Sequence, residues 1–337
     1  MKTNVENEVL KRKYLRYLRE ACGSAESTIV AHERNLATYE EFSKYESFGR
    51  FSIKKACAFK EWLKNKRQSV AGYGNCLKHL QKFYKWLSMQ PGYKSKIVHD
   101  AVDYLKLSNK DASIMRSPTI KNYPTLESAI KLAKSIEIKS EVDFRDRAIV
   151  AFLTLSGMRD SAVASLPLMC FDEEKRHIHQ NPKMGVNTKF SKTIFSKLFN
   201  FDETLLGYVL DWVKLLKEKG YGMADPLFPR SKIKQEADNI SFSKATEVEA
   251  IFWHGGGPVR GIIKTRAEAA NLHYYPPHRF RHLACHLALK MAKNAEELKA
   301  ISQNFGHEYI QTTLSIYGNY QPEALLNKLD EIDGRGK

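Results

Sequence analysis

Several features that mark other classes of protein are missing from this 337-residue sequence. It has no apolar run near the roughly 18 residues that a membrane-spanning helix needs. Its beginning, MKTNVENEVLKRKY, lacks the apolar core of a secretory signal peptide. Its five cysteines are odd in number, scattered and without a Cys-x-x-Cys pair, which argues against a disulfide framework: Cys22, Cys57, Cys76, Cys170 and Cys285. We therefore expect a cytoplasmic protein with no membrane partner.

Acidic residues are in short supply. The chain has 38 of them against 54 lysines and arginines, a formal net charge of +16. This imbalance indicates a polyanionic partner, either nucleic acid or an acidic membrane face, although a basic but inert surface is also compatible with it. Residues 1–116 hold 23 basic and 12 acidic residues, so most of the excess lies in the first third of the chain. Such a local excess favours a segment that grips DNA.

The first region, residues 8–90, has the apolar periodicity of helices. The clearest stripe steps by three and four residues, through Val70, Tyr73, Leu77, Leu80, Tyr84 and Leu87. Lys78, Lys82 and Lys85 lie off this stripe and predict a polar face that either binds DNA or is merely solvated. The aromatic residues are interpreted as core.

The second region mixes helices with short strands. Thr125 predicts the start of one helix, and Gly157 predicts the end of another that covers about 144–155. Short strands are predicted between His177 and Phe195 around a turn at 184–187, and helices resume at Pro276. The predicted fold is therefore a helical domain over 1–95, a linker over 96–119, and a mainly α domain with a small β-sheet (α+β) over 120–337.

The second region also carries the residue types that would cut DNA without a metal. Two arginines can bind the non-bridging phosphate oxygens, and a histidine can add a further donor. A tyrosine can attack phosphorus, and a lysine can protonate the departing sugar oxygen. The sequence presents this set in the order Arg159, Lys183, His278, Arg281, His307 and Tyr317.

The flanking residues of this set resemble the signature motifs of the tyrosine recombinases, the phage-integrase family. The motifs are Gly157-Met158-Arg159, then His278-Arg279-Phe280-Arg281-His282, then Gly306-His307 with Thr312-Thr313 and Tyr317. The resemblance covers about residues 120–330, and its ordered motifs make it specific. The helical first region resembles, less specifically, the family's SAM-like core-binding domain. The resemblance implies a C-shaped clamp around DNA.

The resemblance also implies a role for each residue. Arg159 and Arg281 would bind the scissile phosphate. His278 would assist proton transfer at the tyrosine oxygen, and His307 would support the phosphate and the transition state. Tyr317 would form a 3′-phosphotyrosyl bond, with no metal and no cofactor.

The general acid implied by the resemblance is Lys183, which lies near the predicted turn. Lys189 and Lys192 are close in sequence and remain alternatives, because the register of a short hairpin is poorly defined by sequence. The sequence also departs from the family pattern close to Arg159. Many family members have an acidic residue three positions after this arginine, where this chain has Ala162; Asp160 is nearby but on a different helical face.

These observations predict a site-specific recombinase, located in the cytoplasm with the nucleoid. Its implied partners are a double-stranded recombination site and further copies of itself, as a tetramer on two DNA sites that assembles more weakly when free. The segment 322–329 predicts an amphipathic helix that docks either on a neighbouring protomer or on its own domain. A DNA-binding protein that no longer cleaves and a type IB topoisomerase are the alternatives. His278, His282 and His286 have helical zinc-site spacing, but the family motif accounts for the first two, so no metal is predicted.

Overall fold

The computed structural model describes residues 3–66, 69–116, 122–232, 245–317 and 322–334. The chain divides into two compact units, Met1–Ser117 and Pro118–Lys337. The regular elements described in the first unit are helical: α1 (Val5–Glu20), α2 (Glu26–Ser43), α3 (Ile53–Lys66), α4 (Val70–Leu87), α5 (His99–Asp103) and α6 (Asn109–Arg116). A short 3₁₀ turn, Phe48–Arg50, precedes α3.

Helix α4 follows its predicted stripe. Ser69 begins it by accepting a hydrogen bond from the Gly72 amide at 3.1 Å. The stripe faces a core rich in aromatic side chains, so the interpretation of the aromatic residues as core is confirmed: Tyr14, Tyr39, Phe48, Phe59, Phe83 and Tyr84. Lys78, Lys82 and Lys85 lie exposed on the opposite face.

The predicted linker over 96–119 is wrong as a description of this segment. It contains α5 and α6, and four of its side chains are buried in the core of the first unit: Ile97, Ala101, Val102 and Leu105. Helix α6 and the residues before it pack closely on α4 at Gly74. A Cβ there would meet Met115 of α6 at 3.1 Å and Leu107, which precedes α6, at 3.0 Å. The helices were missed because one or two turns are too short to produce a periodic apolar stripe.

A stacked pair of histidines, the buried His32 and the half-buried His79, lies between α2 and α4. The His32 ring stacks on His79 at a centroid distance of 3.9 Å, and the Tyr14 hydroxyl lies 3.2 Å from Nδ1 of His32. The Asn35 amide lies 2.8 Å from Nδ1 of His79. Burial, reinforced by His79 and Lys82, lowers the pKa of His32 to about 4, and burial also lowers the pKa of His79.

The second unit is built around α8 (Glu141–Ser156), whose residues 148–156 are all buried. Helix α8 packs against α7 (Leu126–Lys134), α10 (Glu203–Glu218), α11 (Gly257–Ala269) and α12 (Pro277–Met291). The remaining helices are α9 (Asp160–Ala164), α13 (Ala295–Asn304), α14 (Ile310–Tyr317) and α15 (Pro322–Gly334). Thr125 begins α7 by accepting from the Ser128 amide at 3.1 Å, as predicted.

Two small antiparallel sheets complete the second unit. The first has the order β1 (Phe171–Asp172), β2 (His177–Gln180), β3 (Ile194–Lys197). The second pairs β4 (Arg230–Ser231) with β5 (Val248–Glu249). The predicted hairpin is confirmed, with Ile178 opposite Ser196 and Gln180 opposite Ile194. The mainly α fold with a small sheet is thus confirmed. None of the described helices is long and apolar enough to cross a membrane.

A buried ionic network ties α8 to α11. Asp146 accepts hydrogen bonds from Arg145 at 2.7 Å and from Arg266 at 2.8 Å. Arg266 also pairs with Asp143 at 2.6 Å. Removal of one member would leave a buried charge without its partner, which typically destabilises a protein by about 3–5 kcal/mol. The network therefore holds α11 in register with the helix that ends at Gly157.

We predict that acid destabilises the first unit through His32. Because its pKa is about 4 in the folded chain and 6.5 for a histidine exposed to water, the unfolded chain binds more protons between these values. Stability present above pH 6.5 should therefore fall by up to about 3 kcal/mol as the pH drops toward 4. Hydrogen exchange of peptides from the first unit of the full chain, measured across this range, should show the loss.

The matched variants are His32→Gln, which should flatten this pH dependence, and His254→Gln, an exposed histidine of the second unit, which should leave it unchanged. An unaltered pH dependence in His32→Gln would contradict the prediction.

Candidate active site

Arg281 joins three separate segments of the second unit. It lies in α12 and is only 3% exposed. Its Nη1 donates to the Gly157 carbonyl at 2.9 Å, and its Nη2 donates to the Phe305 carbonyl and to Nε2 of His307, the latter at 3.1 Å. The guanidinium also lies over the Phe305 ring, 5.3 Å from its centroid. One side chain thus brings the three sequence motifs together.

Two motif glycines allow these segments to approach. Gly157 ends α8 with φ +59°, and a Cβ there would collide with the Phe305 ring and Ala284. Gly306 has φ +68°, and a Cβ there would collide with Ile194 of β3. These glycines are therefore required both by backbone conformation and by close packing beside the Arg281 guanidinium.

His307 is held in one tautomer by its neighbours. A guanidinium can only donate, so Nε2 of His307 accepts from Arg281 and the ring proton lies on Nδ1. Nδ1 then donates to Oγ1 of Thr313 at 2.8 Å, and that hydroxyl donates to Oγ of Ser302 at 2.7 Å. Burial, with the charges of Arg281 and Arg159, lowers the pKa of His307 to about 4. The imidazole is accordingly neutral at pH 7.

Arg159 occupies the position before the first residue of α9 and is half-buried. Its charge lowers the pKa of His307, so it belongs to the same electrostatic cluster as Arg281. Ala162 is buried in the core, as a small apolar residue at that position should be. Asp160 pairs instead with Nε of Arg260 at 2.9 Å and accepts from the Ser161 amide at 2.8 Å.

The segment around Gly256 also reaches this cluster, which the sequence did not indicate. Gly256 precedes α11, and a Cβ there would collide with the Asp160 carboxylate. Arg260, one turn along α11, completes the contact. Ser302, Arg260 and Gly256 were missed because each is an ordinary residue in its own segment and meets the motifs only through folding.

The three candidate lysines lie on the connection between β2 and β3. Lys183 is exposed in the 3₁₀ turn Pro182–Met184, where the Asn181 side chain accepts from its backbone amide at 3.0 Å. Lys192 pairs with Glu308 at 2.5 Å, directly beside His307. The Lys189 ammonium lies 4.9 Å from the centroid of the Phe190 ring. The assignment of the general acid to Lys183 stays a prediction.

His278 lies in the first turn of α12 and is exposed. Its ring meets His282 edge to face at a centroid distance of 4.9 Å, and His282 stacks on Tyr123 at 6.2 Å. His286 also contacts the Tyr123 ring, at 5.7 Å. Within the part of the chain that the structure describes, no group of three or more His, Cys, Asp or Glu residues is arranged to hold a metal ion.

Tyr317 is the last residue of α14, and its side chain lies outside the described residues. Thr313 stands four residues earlier in the same helix, one turn away. Because Thr313 is fully buried against His307 and Ser302, the start of α14 is attached directly to the arginine cluster. Of the tyrosines nearest in sequence, Tyr309 is 64% exposed and Tyr320 lies outside the described residues.

The buried Arg281, the half-buried Arg159 and a neutral histidine, on a mainly α domain with a small sheet, form a site suited to binding an anion. Comparison with family models agrees, since residues 125–323 match the phage integrase family. The match includes more than half of the sequence, and the chain belongs to this family.

Relatives and solved structures resemble the chain over nearly all its length. Tyrosine recombinase XerD of Staphylococcus haemolyticus is 20% identical over 311 residues, which are 91% of this chain and 92% of the relative. XerH site-specific recombinase bound to its palindromic difH substrate has a TM-score of 0.63 at 16% identity, over 95% of this chain and 84% of that one. A lambda integrase dimer bound to a core site has a TM-score of 0.61 at 10% identity, over 92% and 94%. At such identities these structures indicate the shared fold.

We predict that Thr313→Val destabilises the second unit by about 1–3 kcal/mol, because the buried Nδ1–H of His307 loses its acceptor. Valine has nearly the same shape, so little packing changes. Urea unfolding followed by fluorescence measures the effect. Thr312→Val, one position earlier and only half-buried, is the matched control and should change the free energy of unfolding little. Equal effects of the two variants would contradict the hydrogen-bond chain.

Proposed function

We propose that this protein is a site-specific recombinase that cleaves and rejoins DNA through a covalent bond between Tyr317 and a 3′-phosphate. The observation that carries the proposal is the convergence of Arg159, Arg281 and His307 next to the helix that ends at Tyr317. Two cations beside a neutral imidazole favour a phosphodiester over an uncharged ligand. The family membership of the chain supports the same reaction.

In the proposed reaction, Arg159 and Arg281 bind the non-bridging oxygens and stabilise the charge that grows on them in the transition state. The Tyr317 phenol loses its proton with the help of His278 and forms a new bond to phosphorus. The bond from phosphorus to the 5′-oxygen breaks, and Lys183 protonates the departing oxygen. The phosphotyrosyl bond conserves the energy of the broken bond, so a free 5′-hydroxyl can reverse the step without ATP or a metal.

His307 would have two states in this scheme. Without DNA, its Nε2 accepts a hydrogen bond from Arg281 and keeps the guanidinium in place. A bound phosphate adds negative charge next to the ring and therefore raises the pKa of His307 from about 4. Protonation at Nε2 would then allow the ring to donate to the phosphate.

Strand exchange needs more than one copy of the active site. We propose a homo-tetramer on two DNA sites that exchanges strands through a Holliday junction and assembles more weakly without DNA. Helix α15 supports this assembly, because Leu325, Leu326 and Leu329 are 43%, 61% and 50% exposed. Such leucines are suited to a neighbouring protomer.

Each unit has a proposed role in DNA binding. The helical unit, Met1–Ser117, would be the core-binding domain and contact the duplex through Lys78, Lys82 and Lys85. The unit Pro118–Lys337 would be the catalytic domain and contact the scissile phosphate. The site of action would be the cytoplasm, at the nucleoid. The alternatives are a DNA-binding protein that no longer cleaves and a type IB topoisomerase.

We predict a covalent adduct between the protein and a nicked duplex made from the DNA that flanks its gene. Because of the nick, cleavage releases a short strand that carries the free 5′-hydroxyl. The loss of this strand prevents rejoining. Denaturing electrophoresis should show the adduct with the unaltered protein and its loss in Tyr317→Phe, because phenylalanine has no nucleophilic oxygen. Tyr309→Phe, at an exposed tyrosine of the same segment, should still form it. DNA binding without an adduct would favour the non-cleaving alternative.

We predict that replacing Lys78, Lys82 and Lys85 together by glutamine lowers the affinity for DNA. The replacement should also make that affinity depend less on salt concentration. Each phosphate contact contributes about 0.9 to the slope of log Kd against log salt concentration. The variant removes up to three contacts, so the slope should fall by up to three times this amount. Lys131, Lys134 and Lys139, exposed lysines of the second unit, provide a control triple of equal charge. The proposal for α4 fails if both triples reduce the slope equally.

A further inference from the structure

Phe190 is an exposed aromatic side chain at the tip of the connection between β2 and β3. It is 78% exposed, and its backbone has φ +61°, followed by Ser191 at φ +50°. The left-handed region is unfavourable for a bulky side chain by about 1–2 kcal/mol per residue. A turn that only joins two strands gains nothing from a phenylalanine here, since glycine or asparagine would avoid both the strain and the exposed ring.

The tip is closed and attached at both ends. The Thr188 hydroxyl donates to the Lys192 carbonyl at 2.6 Å, which closes a loop of five residues around Phe190. On one side, the Asn187 amide donates to the Ser165 hydroxyl at 2.7 Å, next to the end of α9. On the other side, Lys192 pairs with Glu308 at 2.5 Å. The loop is therefore fixed between the helix that follows Arg159 and the residue that follows His307.

One lysine lies beside the ring, and two more belong to the same connection. The Lys189 ammonium lies 4.9 Å from its centroid, and Lys183 and Lys192 lie on the same connection. An exposed aromatic face among lysines suits a ligand with a flat aromatic part and an anionic backbone, which is the chemistry of a nucleotide. A second copy of this basic chain or an apolar peptide would bring no such phosphate charge to Lys189 beside the ring.

We propose that Phe190 stacks on a nucleobase of the bound DNA, beside the phosphate held by the arginine cluster. This inference rests on the proposed function, which supplies the DNA. One residue separates Phe190 from Lys192, so its Cα lies within about 7 Å of the Cα of the residue that pairs with Glu308. The ring therefore lies on the loop that is attached beside His307.

Phe195 provides a matched comparison within the same sheet. It is 73% exposed, nearly as much as Phe190, and also lies in a stretch rich in lysine. Its ring, however, already stacks on the flat His179 ring at a centroid distance of 4.5 Å and an angle of 7°, whereas the Phe190 ring has the Lys189 ammonium beside it. Removal of the Phe195 ring should therefore change DNA binding little.

The test compares two short duplexes of the same sequence, one fully paired and one with a single unpaired 5-iodouracil base. An unpaired base stacks on a protein ring without first breaking a base pair. We expect the unaltered full-length protein to prefer the bulged duplex, and Phe190→Ala to reduce this preference by about 5- to 100-fold. Phe190→Trp should keep the preference, and so should Phe195→Ala.

Two further readouts separate stacking from a general loss of binding. Phe190→Ala should leave the salt dependence of binding to the paired duplex unchanged, since no cation is removed. Irradiation of the iodouracil complex should attach the base to the peptide that contains Phe190. An unchanged preference in Phe190→Ala, or attachment to a different peptide, would overturn the stacking role while DNA binding stands. Failure to bind either duplex would overturn the proposed function as well.

Discussion

The guanidinium of Arg281 is buried and bonded to two main-chain carbonyls and one imidazole. All three of these hydrogen-bond acceptors are neutral groups. The surrounding structure depends on this contact. Gly157 lacks a side chain because its segment approaches the Phe305 ring closely, and Gly306 lacks one because it packs on Ile194 of β3. A buried guanidinium of this kind also favours the binding of an anion.

The same charge explains the state of His307. Next to Arg281 and Arg159, and largely removed from water, a second cation would be strongly disfavoured, so the pKa of the ring falls to about 4. The neutral ring donates its one proton to Thr313, whose hydroxyl reaches Ser302 on α13. Helices α12, α13 and α14 are thus linked by a chain of hydrogen bonds with a single direction. A histidine with a lowered pKa, a buried cation and a buried residue of α14 meet in one place, as is common at functional sites.

Most regular elements could be predicted from local patterns. Helix α4 has an apolar stripe five turns long and a serine that begins it, and the β2–β3 hairpin has alternating residues on both sides of a turn. The segment 96–119 was wrongly predicted as a linker, because α5 and α6 are stabilised by packing on α3 and α4 rather than by a pattern of their own. Tertiary contacts of this kind leave little trace in a short stretch of sequence.

The sequence by itself determined the chemical residues and their order, because Arg159, Arg281, His307 and Tyr317 lie in short motifs with distinctive neighbours. It also determined that the protein is basic and mainly helical. Only the tertiary structure decided which groups these residues touch. The contacts of Arg281 with Gly157 and of Asp160 with Arg260 join positions about a hundred residues apart in the chain. The tautomer of His307 and the pairing of Lys192 with Glu308 follow from such contacts, since burial and charge are properties of the folded chain and not of any one segment.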